Sequence, residues 1–152
     1  MPLGHSPRSR QNRIVLTTTR TLERGECFSL LQSRSVGRLA LNISALPTIE
    51  PVRRYVVLND EILLFVSRDS RIREAMHFNV VCFEVDDLDH EGLGQHVVVV
   101  GQTMPAARSL IELVSGTTVD RDASLFVLRC ELIQGEATTR AIVDDTSQES
   151  AR

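Results

Sequence analysis

The chain has no lysine and no tryptophan, one tyrosine, five phenylalanines and three cysteines. Cys27, Cys82 and Cys130 are odd in number, far apart and set in apolar runs such as VVCFEV and FVLRCELI. That pattern argues against a disulfide framework and a zinc site, and predicts thiols kept reduced in the cytoplasm. No apolar run approaches the length of a bilayer-spanning helix, and the opening MPLGHSPRSRQNR has charge but no signal-peptide core. The formal net charge of -3 argues against a general nucleic-acid binder, which needs many basic contacts to phosphate. Nucleophile elbows of the GxSxG type and nucleotide loops of the GxGxxG or GxxxxGKS type are also missing. If the protein is an enzyme, a cofactor is expected to carry its chemistry.

What is present is an ordinary globular composition, 42% hydrophobic over 152 residues, which fits one domain with a real core. All 17 basic residues are arginine. This has two readings: a codon bias of the source genome, or use of the guanidinium fork on phosphate oxygens. Residues 1–12 read as a disordered basic tail, 13–143 as the domain and 144–152 as a polar tail.

Within the domain, TLERGECFSLLQ predicts a helix starting near Thr21, and SVGRLALNI alternates as a strand. ALP then turns the chain into a second strand, TIEPVRRYVVL, whose Pro51 places it at an edge or a bulge. Asn59-Asp60 is a turn signal, with EILLFV returning as a hairpin. SRIREAMHF predicts a short helix, VVCFEVDDLD a strand, and QHVVVVGQTM a strand whose four valines need cover on both faces. A helix AARSLIELVSG, opened by Pro105 and ended by Gly116, precedes a last strand SLFVLRCELIQGEA. About six strands and three short helices, joined by short connections, predict a small antiparallel barrel.

The join LLFVSRDSRIREAM carries the strongest chemistry. Arginines in the first turn of a helix oppose its dipole. Two readings fit: Ser67, Ser70 and Arg71 hold a phosphate monoester, or Arg68, Arg71 and Arg73 are solvated with Asp69 and Glu74 paired to them. On the preceding strand, alternation puts Arg53 and Tyr55 on one face and Arg54 on the other. His96 reads either as a hydrogen-bond donor at the barrel mouth or as a structural residue, with no second His at metal-ligand spacing. The acidic loop DDLDHEGLG reads as a cation site or as a solvated loop, and it lacks the ligand order of a calcium loop.

The runs ECFSLLQSRSVGRLAL, EPVRRYVV, LLFVSRDSRIREA, VVCFEVDDLD and GQHVVVVGQ, in that order, resemble the pyridoxamine 5′-phosphate oxidase-like family of FMN-binding split barrels over roughly residues 20–140. The resemblance implies a mainly β fold, a six-stranded antiparallel split β-barrel with short flanking helices. It also implies a homodimer with FMN in the groove between subunits. Ser67, Ser70 and Arg71 would grip the phosphate, Val52, Arg53, Arg54 and Tyr55 would lie along the ring and ribityl chain, and His96 would stand near the ring. The family's cofactor use extends to deazaflavin, for whose longer tail Arg53, Arg54 and Arg68 offer basic surface.

Three departures from that family pattern bear on function. Ile72 stands where relatives often carry lysine, Arg54 replaces a common aromatic, and Gln95 replaces a tryptophan. The C-terminal substrate motif of the oxidases proper is absent. The expectation is therefore a flavin-dependent oxidoreductase of unknown substrate, not a true pyridoxamine phosphate oxidase. Its alternatives are a deazaflavin-dependent reductase and a non-enzymatic flavin or ligand sensor. Catalytic residues are not assigned, Tyr55 and His96 being the nearest candidates for acid or base work. Neither nucleic acid nor membrane is expected as a partner.

Overall fold

A computed structural model describes residues 13–114 and 123–144, which form nine strands and three helices. In chain order they are β1 (Arg13–Thr21), α1 (Arg24–Ser33), β2 (Gly37–Ile43), β3 (Leu46–Val52), β4 (Tyr55–Leu58), β5 (Glu61–Ser67), α2 (Ser70–Ala75), β6 (Val80–Leu88), β7 (Gly94–Pro105), α3 (Arg108–Val114), β8 (Ala123–Arg129) and β9 (Leu132–Asp144). The predicted end of the third helix at Gly116, residues 1–12 and residues 145–152 lie outside the described residues, while Asp144, the expected first residue of the polar tail, ends β9.

Every strand pairing is antiparallel, in the order β3-β2-β6-β7-β8-β5-β4, with β9 beside β7 and β1 beside β9. The long strand β7 serves two sheets: Gly94–Gln102 pair with β6, while Thr103–Pro105 pair with β8. At its bend, a Cβ on Gly101 would run into the carbonyl of Arg129, so only glycine lets the backbones approach this closely. The two ends of the path, β3 and β4, are joined directly through Arg53 and Arg54. A hydrogen bond of 3.2 Å from the Phe65 N–H to the Arg54 carbonyl holds that corner against β5. The result is a mainly β, antiparallel barrel split between β3 and β4, with short helices around it.

Burial follows strand periodicity where a face meets solvent and ignores it where both faces are covered. In β2, Gly37, Leu39 and Leu41 are buried and alternate with more exposed neighbours. In β5, Ile62 to Val66 are all buried. Ile62, Leu64 and Val66 enter the main core, whereas Leu63 and Phe65 form a second cluster with Val127 beneath Leu110 and Val114 of α3. The valine run is intermediate. Val97 and Val99 are fully buried in the main core, while Val98 and Val100 on the outer face are only half-buried.

Several expected boundaries move. TIEPVRRYVVL breaks at Arg53–Arg54, because the barrel turns its corner there, and SLFVLRCELIQGEA breaks after Arg129, where β8, lying between β5 and the end of β7, gives way to β9, lying between the first part of β7 and β1. β1 was not anticipated as a strand; it pairs along its whole length with β9 and is exposed throughout. These changes raise the count from the expected six strands to nine. Thr21 ends β1, and α1 instead starts after Glu23, which forms a capping box with Glu26. Leu46-Pro47 already belong to β3, and the turn before it falls on Ser44 and Ala45, both at positive φ. Pro105 closes β7 rather than opening α3.

Candidate functional site

The corner between the sheets opens into a groove. Arg53 and Arg54 lie between β3 and β4 outside regular strand, so the alternation that would point them to opposite faces does not apply. Both line a cavity of about 280 Å³, together with Glu50 and Pro51 of β3 and Phe65 and Ser67 of β5. The Arg54 guanidinium sits 4.5 Å above the centre of the Phe65 ring, a cation–π contact that orients it over the groove floor. Two arginines and a hydroxyl converging on one concavity suit the oxygens of a phosphate or a polyol.

A second cavity, of about 550 Å³, begins on the other side of Pro51 and is bounded by Arg34, Val36, Gly37, Arg38 and Asp86. Pro51 is shared by both. Because β3 is an edge strand and proline has no N–H, the chain leaves no unpaired donor where an elongated ligand would cross. Arg34 pairs with Asp87, and Arg38 pairs with both Glu84 and Asp86. Two arginines set against three carboxylates leave this end without net positive charge.

The remaining expected site residues divide by position. Ser67 is in the groove, but Ser70 and Arg71 do not line it. Arg71 borders a neighbouring polar cavity of about 280 Å³ with Asn42, Ser44, Glu74 and Asn79. The charge conflict at the start of α2 is answered within the chain: Asp69 caps the helix, accepting from the Arg71 N–H at 2.9 Å and pairing with its guanidinium at 3.3 Å. That hydrogen bonding holds the Asp69 carboxyl below its usual range. Val52 is buried in the core under the groove.

Tyr55 is likewise buried, its ring edge-on to Phe83 at 5.0 Å and its hydroxyl donating to the Leu31 carbonyl at 2.6 Å. Burial pushes its pKa up to about 12, so it stays a neutral structural donor rather than a proton-transfer group. His96 lies on the outer face of β7, directly across from Asp86 on β6 and Glu136 on β9. It does not line either cavity, yet Asp86, its cross-strand neighbour, borders the larger one.

Other candidates resolve into structure. In the acidic loop, Asp86 and Asp87 pair with arginines, Asp89 accepts from the N–H groups of Glu91 and Leu93, and Glu91 pairs with Arg140 at 2.7 Å. No group of three potential ligands able to hold a metal ion occurs among the described residues. All three cysteines are free, and desolvation raises each pKa, to about 11 at Cys130, so none is poised as a thiolate. No helix among the described residues is long and apolar enough to cross a membrane. Sequence reasoning missed Glu50, Pro51 and Phe65 as groove residues. Pro51 gave an edge signal, but Phe65 was hidden in a continuous apolar run.

The family model described as pyridoxamine 5′-phosphate oxidase matches residues 23–118. A comparison with curated proteins finds no match. Among solved structures, an FAD-binding protein from Mycobacterium smegmatis superposes with a TM-score of 0.64 at 24% identity, over 82% of this chain and 99% of that one. An FAD-binding protein from Mesorhizobium loti gives 0.67 at 23%, over 81% and 98%. An FAD- and heme-binding protein from Mycobacterium smegmatis gives 0.63 at 12%, over 87% of each chain. At these identities the likeness establishes the fold, while the family model covers well over half of the chain. The chain belongs to the pyridoxamine 5′-phosphate oxidase family.

Proposed function

We propose that this protein binds a flavin nucleotide and works as a flavin-dependent oxidoreductase on a substrate other than pyridoxamine phosphate. The observation that carries the reading is the groove in which Arg53, Arg54 and Ser67, drawn from two separate segments, converge. Arg53, Arg54 and Ser67 would hold the phosphate and ribityl oxygens. The ring would pass over Pro51 toward Val36 and Gly37, where the larger cavity has room for a planar heterocycle. The binding of FAD by structural neighbours supports a flavin as the ligand class. A bound flavin supplies hydride transfer; this chain binds, orients and shields it.

A second copy of the chain completes the proposed arrangement. The outer face of β2, β3, β6 and β7 presents Ala40, Ile49, Val80, Cys82 and Val100 around an apolar cavity of about 490 Å³. Ile49 and Val80 are 68% and 64% exposed. A homodimer across this face would cover the second side of the valine strand and bring His96 toward the ring end of the groove, which Asp86 already borders.

A non-enzymatic flavin-binding module is the competing reading. It is favoured by the sequestration of Tyr55, which leaves the groove without that acid–base candidate. Titration of the purified protein with FMN, FAD and deazaflavin, followed by absorbance and fluorescence, tests the binding claim. Saturable binding is expected for a flavin, and a protein that binds none of the three contradicts it. Reduction of the bound flavin by NADH or NADPH then separates oxidoreductase from binding module.

A further inference from the structure

The corner groove holds an acid that the proposed ligand contacts leave unused. Glu50 lies on β3 and shares a strand face with Val52, the buried residue two positions on, so its side chain turns inward to the cavity that Arg53, Arg54 and Ser67 also line. Glu50, Arg53 and Arg54 are the charged residues of that lining. The Glu50 carboxylate forms no ion pair or hydrogen bond with another described residue. Arg71, outside the groove, feels its charge but is paired with Asp69. A half-buried carboxylate is ordinarily matched by a partner; this one is left facing whatever enters the groove.

Two arginines against one carboxylate leave the groove a single positive charge. The cost of drawing a phosphate out of water rises faster than its charge, whereas its attraction to the groove rises only in proportion. A phosphate monoester carries close to two negative charges at neutral pH, because its second proton leaves near pH 6; a diester has no such proton and carries one. We propose that Glu50 makes the groove select a flavin whose phosphate is a diester, FAD or a deazaflavin cofactor, over the monoester FMN. The inference rests on the flavin reading of the groove and names the ligand within it. The second charge of FMN meets the Glu50 carboxylate and finds no cation of its own.

The probes are FMN and its 5′-monomethyl ester, which share the ring and ribityl chain and differ by one phosphate charge. Each is titrated at pH 7.5 into wild type and Glu50→Gln and followed by flavin fluorescence; glutamine keeps the shape of the side chain and removes its charge. Wild type is expected to bind the ester more tightly than FMN. In Glu50→Gln, FMN should tighten about fivefold, the upper range for one partly exposed charge pair, the ester about twofold and riboflavin not at all. FMN binding tighter than the ester in wild type, or an equal response of all three ligands to the substitution, overturns the proposal. FAD or the deazaflavin cofactor should also exceed FMN in wild type, and the tighter of the two identifies the natural diester; FMN tighter than both counts against Glu50 as the selector. A wild type that binds none of these flavins removes the flavin reading, and the proposal with it.

Discussion

Tyr55 shows how a residue with attractive chemistry is used for architecture. In the sequence it adjoins two arginines and invites a ligand role, but the strand that begins at Tyr55 turns its first side chain inward. Its hydroxyl satisfies the Leu31 carbonyl at the C-terminal end of α1 and so ties that helix to the corner that shapes the groove. Tyr55→Phe leaves a buried carbonyl without its partner and is expected to cost about 1–3 kcal/mol in denaturant unfolding. Flavin affinity should be unchanged, in contrast to a residue that touches the ligand. Arg53 and Arg54 follow the opposite course. Strand alternation would separate them, and only the interruption of the strand lets both face one cavity.

Among the elements, α1 is the most exposed to a test by pH. Glu26 closes its N-terminal capping box, accepting from the Glu23 N–H at 2.9 Å and pairing with Arg20 of β1 at 2.7 Å. The hydrogen bond from Arg20, and after it the one from the Glu23 backbone, lower the Glu26 pKa to about 2. A carboxyl depressed on folding stabilises the native state above its unfolded pKa and loses that contribution as pH falls through the folded one. Wild type is therefore expected to exceed Glu26→Gln in stability at neutral pH. The difference should close between about pH 4.5 and about pH 2, read by thermal unfolding across that range. Strands whose faces differ in burial, such as β2, were legible from the sequence, as was the Asn59-Asp60 hairpin, where Asn59 takes positive φ. Breaks at Arg53–Arg54 and after Arg129 were not, because barrel closure imposes them and no local turn residue marks them. β1 was missed for a related reason: RIVLTTTRT is exposed on both faces and carries no alternation to read.

At the scale of the whole molecule, the antiparallel barrel and the chain order of its main strands were legible, while the partition of the candidate site was not. Ser67 and Arg71 are four residues apart, but the turn into α2 puts them on different cavities. Glu50 and Phe65 join the groove only because β3 and β5 meet across the split. The half-exposed outer valines carry the assembly claim. Sedimentation is expected to give a dimer for wild type and a folded monomer for Val98→Asp, which puts a charge on that face without touching the core; an unaltered dimer would place the interface elsewhere. The central claim is that the corner groove grips the phosphate of a flavin. Its most direct measurement is the ratio of FMN to riboflavin affinity in wild type and in Arg53→Ala. One charge-assisted hydrogen bond is worth about 1.5–3 kcal/mol, so the account predicts that wild type favours FMN by about 10- to 150-fold and that the variant loses most of this preference. Equal affinity for both ligands in wild type, or an equal loss for both in Arg53→Ala, would contradict it.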